Sequence, residues 1–224
     1  MENIEELADK VKCNILNADE FNFMKINKLF KSQFLKLKDI EKIMLFEKMI
    51  DSGNFKLFSF GTLFIKSSNI YILEYFHFFE NFLYEYVNEW YECDQYCYRV
   101  LNPFVERYPL LYKNILNWTK ASCIYVKRAA AVCLIHSSQT FSINVDYEIV
   151  DAVCEELLDE EHLHIKKAVG WLLKYSYLSY PEQTISFINN HLLQMNVITF
   201  NYAMEKMPIE NRNELKRNRF IQNK

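Results

Sequence analysis

A chain of 224 residues can bury a sizeable core, but only three Gly and four Pro are available to turn it, too few for a sheet protein of this length. Lys and Arg total 26 against 29 Asp and Glu, a net charge of −3, so a uniformly basic nucleic-acid-binding surface is excluded and any polyanion site must be local. The 18 Phe and 15 Tyr accompany abundant Lys, Asn and Ile, a set that an AT-rich coding sequence produces by itself.

The elements read as helices from the start. Met1 to Lys12 is acidic and amphipathic, without the apolar core of a signal peptide, and Ile4, Leu7, Ala8, Val11 and Ile15 form one stripe at helical spacing. Phe21 to Met49 reads as uninterrupted helical material. Breaks are expected at Ser52-Gly53, Lys66 to Asn69, Asn102-Pro103, Tyr108-Pro109, Ser137 to Gln139, Tyr180-Pro181 and Met207-Pro208. Ile70 to Val87 is the longest apolar stretch, but Glu74, His77, Glu80, Asn81 and Glu85 interrupt it, which argues against a membrane span. The six Cys are expected as free thiols in a reducing, cytoplasmic setting. Cys93 and Cys97 lack further ligands at matching spacing to complete a zinc site. His162 and His164, two residues apart, read as a solvated helix start.

Lys127 to Leu134 (KRAAAVCL) resembles Lys166 to Leu173 (KKAVGWLL) at an offset of 39 residues, close to the period of a HEAT-like helix pair. A weaker echo follows at Asn201 to Met204. Units of this kind cannot bury their apolar faces alone and must stack, and Ala129, Ala130, Ala168 and Gly170 are small enough to let helices approach closely. No linker or low-complexity tract divides the chain, so residues 1–224 are expected to form a single all-α, HEAT-like repeat domain, a solenoid with a concave cleft.

Trp90 and Asp94 stand one helical turn apart, in a stretch from Ile70 to Tyr98 with six carboxylates and no Lys or Arg. Residues at i and i+4 share a helix face, so a cation could meet the indole face and the carboxylate together. Trp90-Tyr91-Glu92-Cys93-Asp94, Val126 to Ala131, and Lys167 to Lys174, with its Ala-Val-Gly-Trp segment, together resemble three successive motifs of the bacterial AlkD-type DNA alkylation repair glycosylases. The resemblance runs from about Leu83 to Met207. It implies a HEAT-like helical fold and excision of cationic N3- and N7-alkylpurines from duplex DNA, with no cofactor and no metal. Carried over residue by residue, it makes Asp94 the catalytic carboxylate, Trp90 and Trp171 aromatic walls, and Arg128 a DNA-backbone contact. Lys127, Lys166 and Lys167 are the basic residues expected to add phosphate contacts beside it.

Typical members carry, before the Trp-Asp motif, a connector with Gly and Pro and a basic helix that helps hold DNA. This sequence has neither its first Gly before Gly53 nor its first Pro before Pro103, and 89 residues precede Trp90, fewer than is usual for the family. Asp151 to Glu161 adds a second run of six carboxylates. The basic tail of Arg212, Lys216, Arg217 and Arg219 fits a role in solubility and helix-end electrostatics. Two readings follow: a monomeric glycosylase with weak duplex binding, or a divergent relative without DNA binding, acting as an interaction scaffold or on another cationic ligand.

Overall fold

The computed structural model describes residues 3–138 and 140–222. The chain packs as two compact units, Met1–Val100 and Leu101–Lys224. Both are helical, and the fold is all-α apart from one small hairpin.

In the first unit α1 (Ile4–Leu16) buries Leu7, Ala8, Val11 and Ile15, the stripe read from spacing. Then come α2 (Phe23–Leu29), α3 (Lys31–Phe34), α4 (Asp39–Ile50), α5 (Phe55–Ser68), α6 (Phe76–Tyr86) and α7 (Trp90–Tyr96). The expected continuous helix over Phe21 to Met49 is therefore broken twice. Asn22 starts α2 by accepting from the Lys25 amide at 3.0 Å, and Glu41 folds back to accept from the Lys38 amide at 2.7 Å, starting α4 afresh. Such side-chain bonds satisfy amides that a helix start leaves orphaned, and apolar periodicity does not register them.

The α4/α5 turn uses Gly53 at φ +64°, and Asn69 caps α5 at φ +53°. Left-handed backbone favours Gly or Asn at such positions. The core is aromatic: Phe46 on α4 lies against Phe79, Phe82 and Tyr96, and Phe34 closes on Phe60 and Phe64 of α5. Tyr96 sits fully buried and donates to the Phe79 carbonyl at 2.8 Å, and burial pushes its phenol well above the usual range.

The second unit contains α8 (Asn102–Arg107), α9 (Tyr112–Trp118), α10 (Ile124–Val132), α11 (Tyr147–Leu157), α12 (Leu163–Ser179), α13 (Pro181–Asn190), α14 (Val197–Ala203) and α15 (Ile209–Gln222). Here the repeat is visible. Helix α12 lies between α10 and α14; α9 packs with α10 and α11 with α12, while α13 packs with α12 and α15. The self-matching segments are equivalent positions on α10 and α12, and the third echo lies on α14. Ala129, Ala130, Ala131 and Ala168 are completely buried, as close helix packing requires.

Between α10 and α11, where a break is expected, the chain instead forms β1 (Ile135–Ser137) and β2 (Phe141–Ile143), paired antiparallel with Ile135 opposite Ile143. Ser179 on α12 ties this hairpin down through bonds to and from the Ile143 backbone at 3.2 and 3.0 Å. No helix among the described residues is long and apolar enough to cross a membrane.

Candidate active site

Helix α7 follows the extended residue Glu89, and Trp90 is its first residue. Glu92 folds back to accept from the Asn88 amide at 3.0 Å, fixing the helix start in capping-box fashion. Only 8 % of Glu92 is exposed. Burial pushes its carboxyl above the usual range, while the backbone amides of Asn88 and Glu89 pull it back.

Trp90 is 46 % exposed, its ring edge-on to Tyr91 with centroids 5.8 Å apart. Tyr91 packs in turn against Phe55 at 5.3 Å. Asp94, one turn on, is 9 % exposed. One helix face thus pairs an accessible indole with a largely buried carboxylate, whose field is less screened than at an open surface.

A π-helical turn, Cys97–Leu101, follows directly. Such turns are frequent beside functional sites. Within it Arg99, which was not singled out from sequence, donates from Nη1 to Thr62 Oγ1 at 3.0 Å, Ser59 Oγ at 3.2 Å and Gln95 Oε1. Its carbonyl accepts from Tyr71 at 2.6 Å. These bonds lock the end of α7 onto α5, and burial lowers the guanidinium pKa. A lone Arg after an acidic run gives no sequence cue to such a role. Cys93 and Cys97 are buried thiols, not joined in a disulfide, with sulfurs 4.0 Å apart, and no group of three or more His, Cys, Asp or Glu is placed to hold a metal among the described residues.

The remaining expected residues belong to the second unit. Arg128 on α10 is 4 % exposed and donates from Nη1 to the His164 carbonyl at 2.6 Å, joining α10 to the first turn of α12. Beside it Lys127 is ion-paired with Glu160, and Lys166 with Glu161. Lys174 is paired with Glu205 and lies 5.4 Å from the Tyr175 ring centroid. Lys167 has no ion pair among the described residues. His162 caps α12, its Nδ1 accepting from the His164 amide at 3.3 Å.

Trp171 on α12 is half-buried, with Phe141 of β2 edge-on at 5.7 Å and Tyr175 at 6.4 Å. Phe141 and Tyr175 are themselves 5.0 Å apart. Tyr175 follows Trp171 at i+4 and could have been found from spacing. Phe141 could not, because the hairpin delivers it.

The family model of the DNA alkylation repair enzymes matches residues 21–207, and the chain belongs to that family. The match begins well before Leu83, where the motif resemblance starts, and takes in α2. Among solved structures, the chain is similar to AlkD2 from Streptococcus mutans, with a TM-score of 0.66 and 15 % identity over 91 % of this chain and 98 % of that one. At that identity the likeness supports the helical fold alone. No curated protein matches the chain.

Proposed function

We propose that this family member is an N-glycosylase acting on cationic N3- and N7-alkylpurines in DNA. The observation that carries this reading is the Trp90/Asp94 pair on one turn of α7, exposed indole beside buried carboxylate, inside the family-matched region. An alkylated purine is already cationic. As its glycosidic bond breaks, the bonding electrons leave with the purine, which departs neutral, so no general acid is needed. Positive charge moves onto the deoxyribose, where Asp94 stabilises it and orients the water that adds to the sugar carbon and releases a proton. Trp90 and Trp171 supply indole faces worth ~0.5–2 kcal/mol each toward a cation, and Asp94 supplies most of the rest. The proposal includes residues 1–224 working as one HEAT-like repeat domain, as a monomer in the cytoplasm, without metal or cofactor. The test is release of 7-methylguanine or 3-methyladenine from alkylated duplex DNA.

A second reading, a relative that no longer grips duplex DNA and serves as a scaffold or binds another cationic ligand, is favoured by one set of contacts. Lys127, Lys166 and Lys174 are each engaged by a carboxylate of the chain itself, and the first two acids belong to the run Asp159-Glu160-Glu161. Phosphate contacts by Lys supply most non-specific DNA affinity. Duplex binding is therefore weak in either reading.

A double substitution separates the two. Glu160→Gln with Glu161→Gln releases Lys127 and Lys166, and under the glycosylase reading duplex affinity at low salt rises about tenfold, with the log–log salt slope steeper by about 2. Titration of a fluorescent duplex carrying an abasic-site mimic at two salt concentrations measures both quantities. No binding in either protein leaves the scaffold reading.

A further inference from the structure

A cavity in the first unit, away from α7, has a volume of about 910 Å³. Its floor includes Phe34 and Phe64, and its rim carries Lys25, Lys28 and Lys31 from α2 and α3. From Phe21 to Lys38 the sequence holds five Lys and no Asp or Glu, so this is a basic island in an acidic protein. Lys42, which also lines the cavity, is paired with Asp39 at 2.8 Å. Lys25, Lys28 and Lys31 are exposed and carry no ion pair among the described residues. Met24 and Leu35, also lining the cavity, are 72 % and 75 % exposed.

Three features must be met together: positive charge concentrated on one rim, an apolar floor, and a volume within the roughly 300–1,000 Å³ usual for small-molecule sites. A duplex could meet the lysines but is too wide to cover the floor. An uncharged apolar molecule would leave the lysines unanswered. We infer that the cavity binds a small amphiphilic anion, an organic phosphate or carboxylate whose apolar body rests on Phe34, Phe64 and Leu35 while its charged end meets Lys25, Lys28 and Lys31. This site is independent of the glycosylase reading.

The test is calorimetric titration of the full chain with dodecyl phosphate below its micelle concentration, inorganic phosphate, laurate and a nucleoside monophosphate. Dodecyl phosphate is expected to bind at one site, about tenfold or more tighter than inorganic phosphate, because buried methylenes add to the charge interaction. Lys28→Glu with Lys31→Glu weakens it about tenfold, and Leu35→Ser reduces the advantage of the alkyl chain while leaving phosphate binding in place. All three substituted residues are exposed, so folding should survive, and circular dichroism checks it. Laurate distinguishes phosphate from carboxylate ends, and the nucleotide distinguishes an aromatic body from an aliphatic one.

Equal affinity for alkyl and inorganic phosphate overturns the proposal, as does binding indifferent to the lysine substitutions. Displacement of dodecyl phosphate by duplex DNA through the same lysines would assign the surface to nucleic acid and overturn it equally.

Discussion

Asp94→Asn is expected to abolish release of alkylated bases, by about 10²–10³-fold or more in a single-turnover assay with enzyme in excess. The substitution keeps side-chain volume and shape and removes the charge alone. Because only 9 % of Asp94 is exposed, its carboxylate acts where water screens poorly, and a neutral amide cannot replace that field at a sugar gaining positive charge. Affinity for duplex DNA should hold or rise slightly, since the lost charge is of the same sign as the phosphates. The defect therefore belongs to the chemical step. Trp171→Ala is expected to lose about tenfold in the same assay. An unchanged rate in Asp94→Asn would remove the carboxylate from the mechanism.

Gly170→Ala is expected to lower stability by about 2 kcal/mol, and the melting temperature of the second unit by ~4–8 °C. A Cβ at this position would stand 2.6 Å from Tyr202 Cβ, 2.9 Å from the Thr199 carbonyl oxygen and 3.2 Å from its Cα. Two of these atoms are backbone, so no rotamer change relieves the contact, and α12 and α14 must separate. The strain outweighs the ~1 kcal/mol that Ala gains over Gly in a helix. Gly53→Ala is the control. Nothing lies within 4 Å of a Cβ there, but φ is +64°, so its cost is backbone strain of about 1 kcal/mol and carries no helix displacement. Thermal melts of both variants, with near-ultraviolet dichroism for the Trp171 environment, check the contrast. A Gly170→Ala protein as stable as the parent would mean that α12 and α14 are less closely packed than described.

The acid-rich balance acquires a local meaning in the structure. In the second unit it is spent partly on Lys127, Lys166 and Lys174, whereas Lys25, Lys28 and Lys31 in the first are left without acid partners among the described residues. Of the lysines identified from motifs, Lys127 and Lys166 are held by acids of the chain and Lys167 alone carries no ion pair among the described residues.

Local chemistry determined much by itself. Apolar spacing fixes a helix wherever residues at i, i+3 and i+4 must share a buried face, so α1, α10 and α12 were legible, as was the register relating the last two. Scarce Gly and Pro marked the ends of α4, α8 and α12, the Ser-Ser-Asn break marked that of α5, and the motif match gave the right family. Tertiary structure alone decided the rest, because those features depend on groups that meet across the chain. Lys127 meets Glu160 at a separation of 33 residues and Lys174 meets Glu205 at 31. Phe141 reaches Trp171 only because a hairpin replaces a plain turn, and Phe34 reaches Phe64 only because α2 and α3 break where a continuous helix was expected. Whether a lysine is available to a phosphate is a property of what lies within 4 Å of its nitrogen, and no local pattern carries that distance.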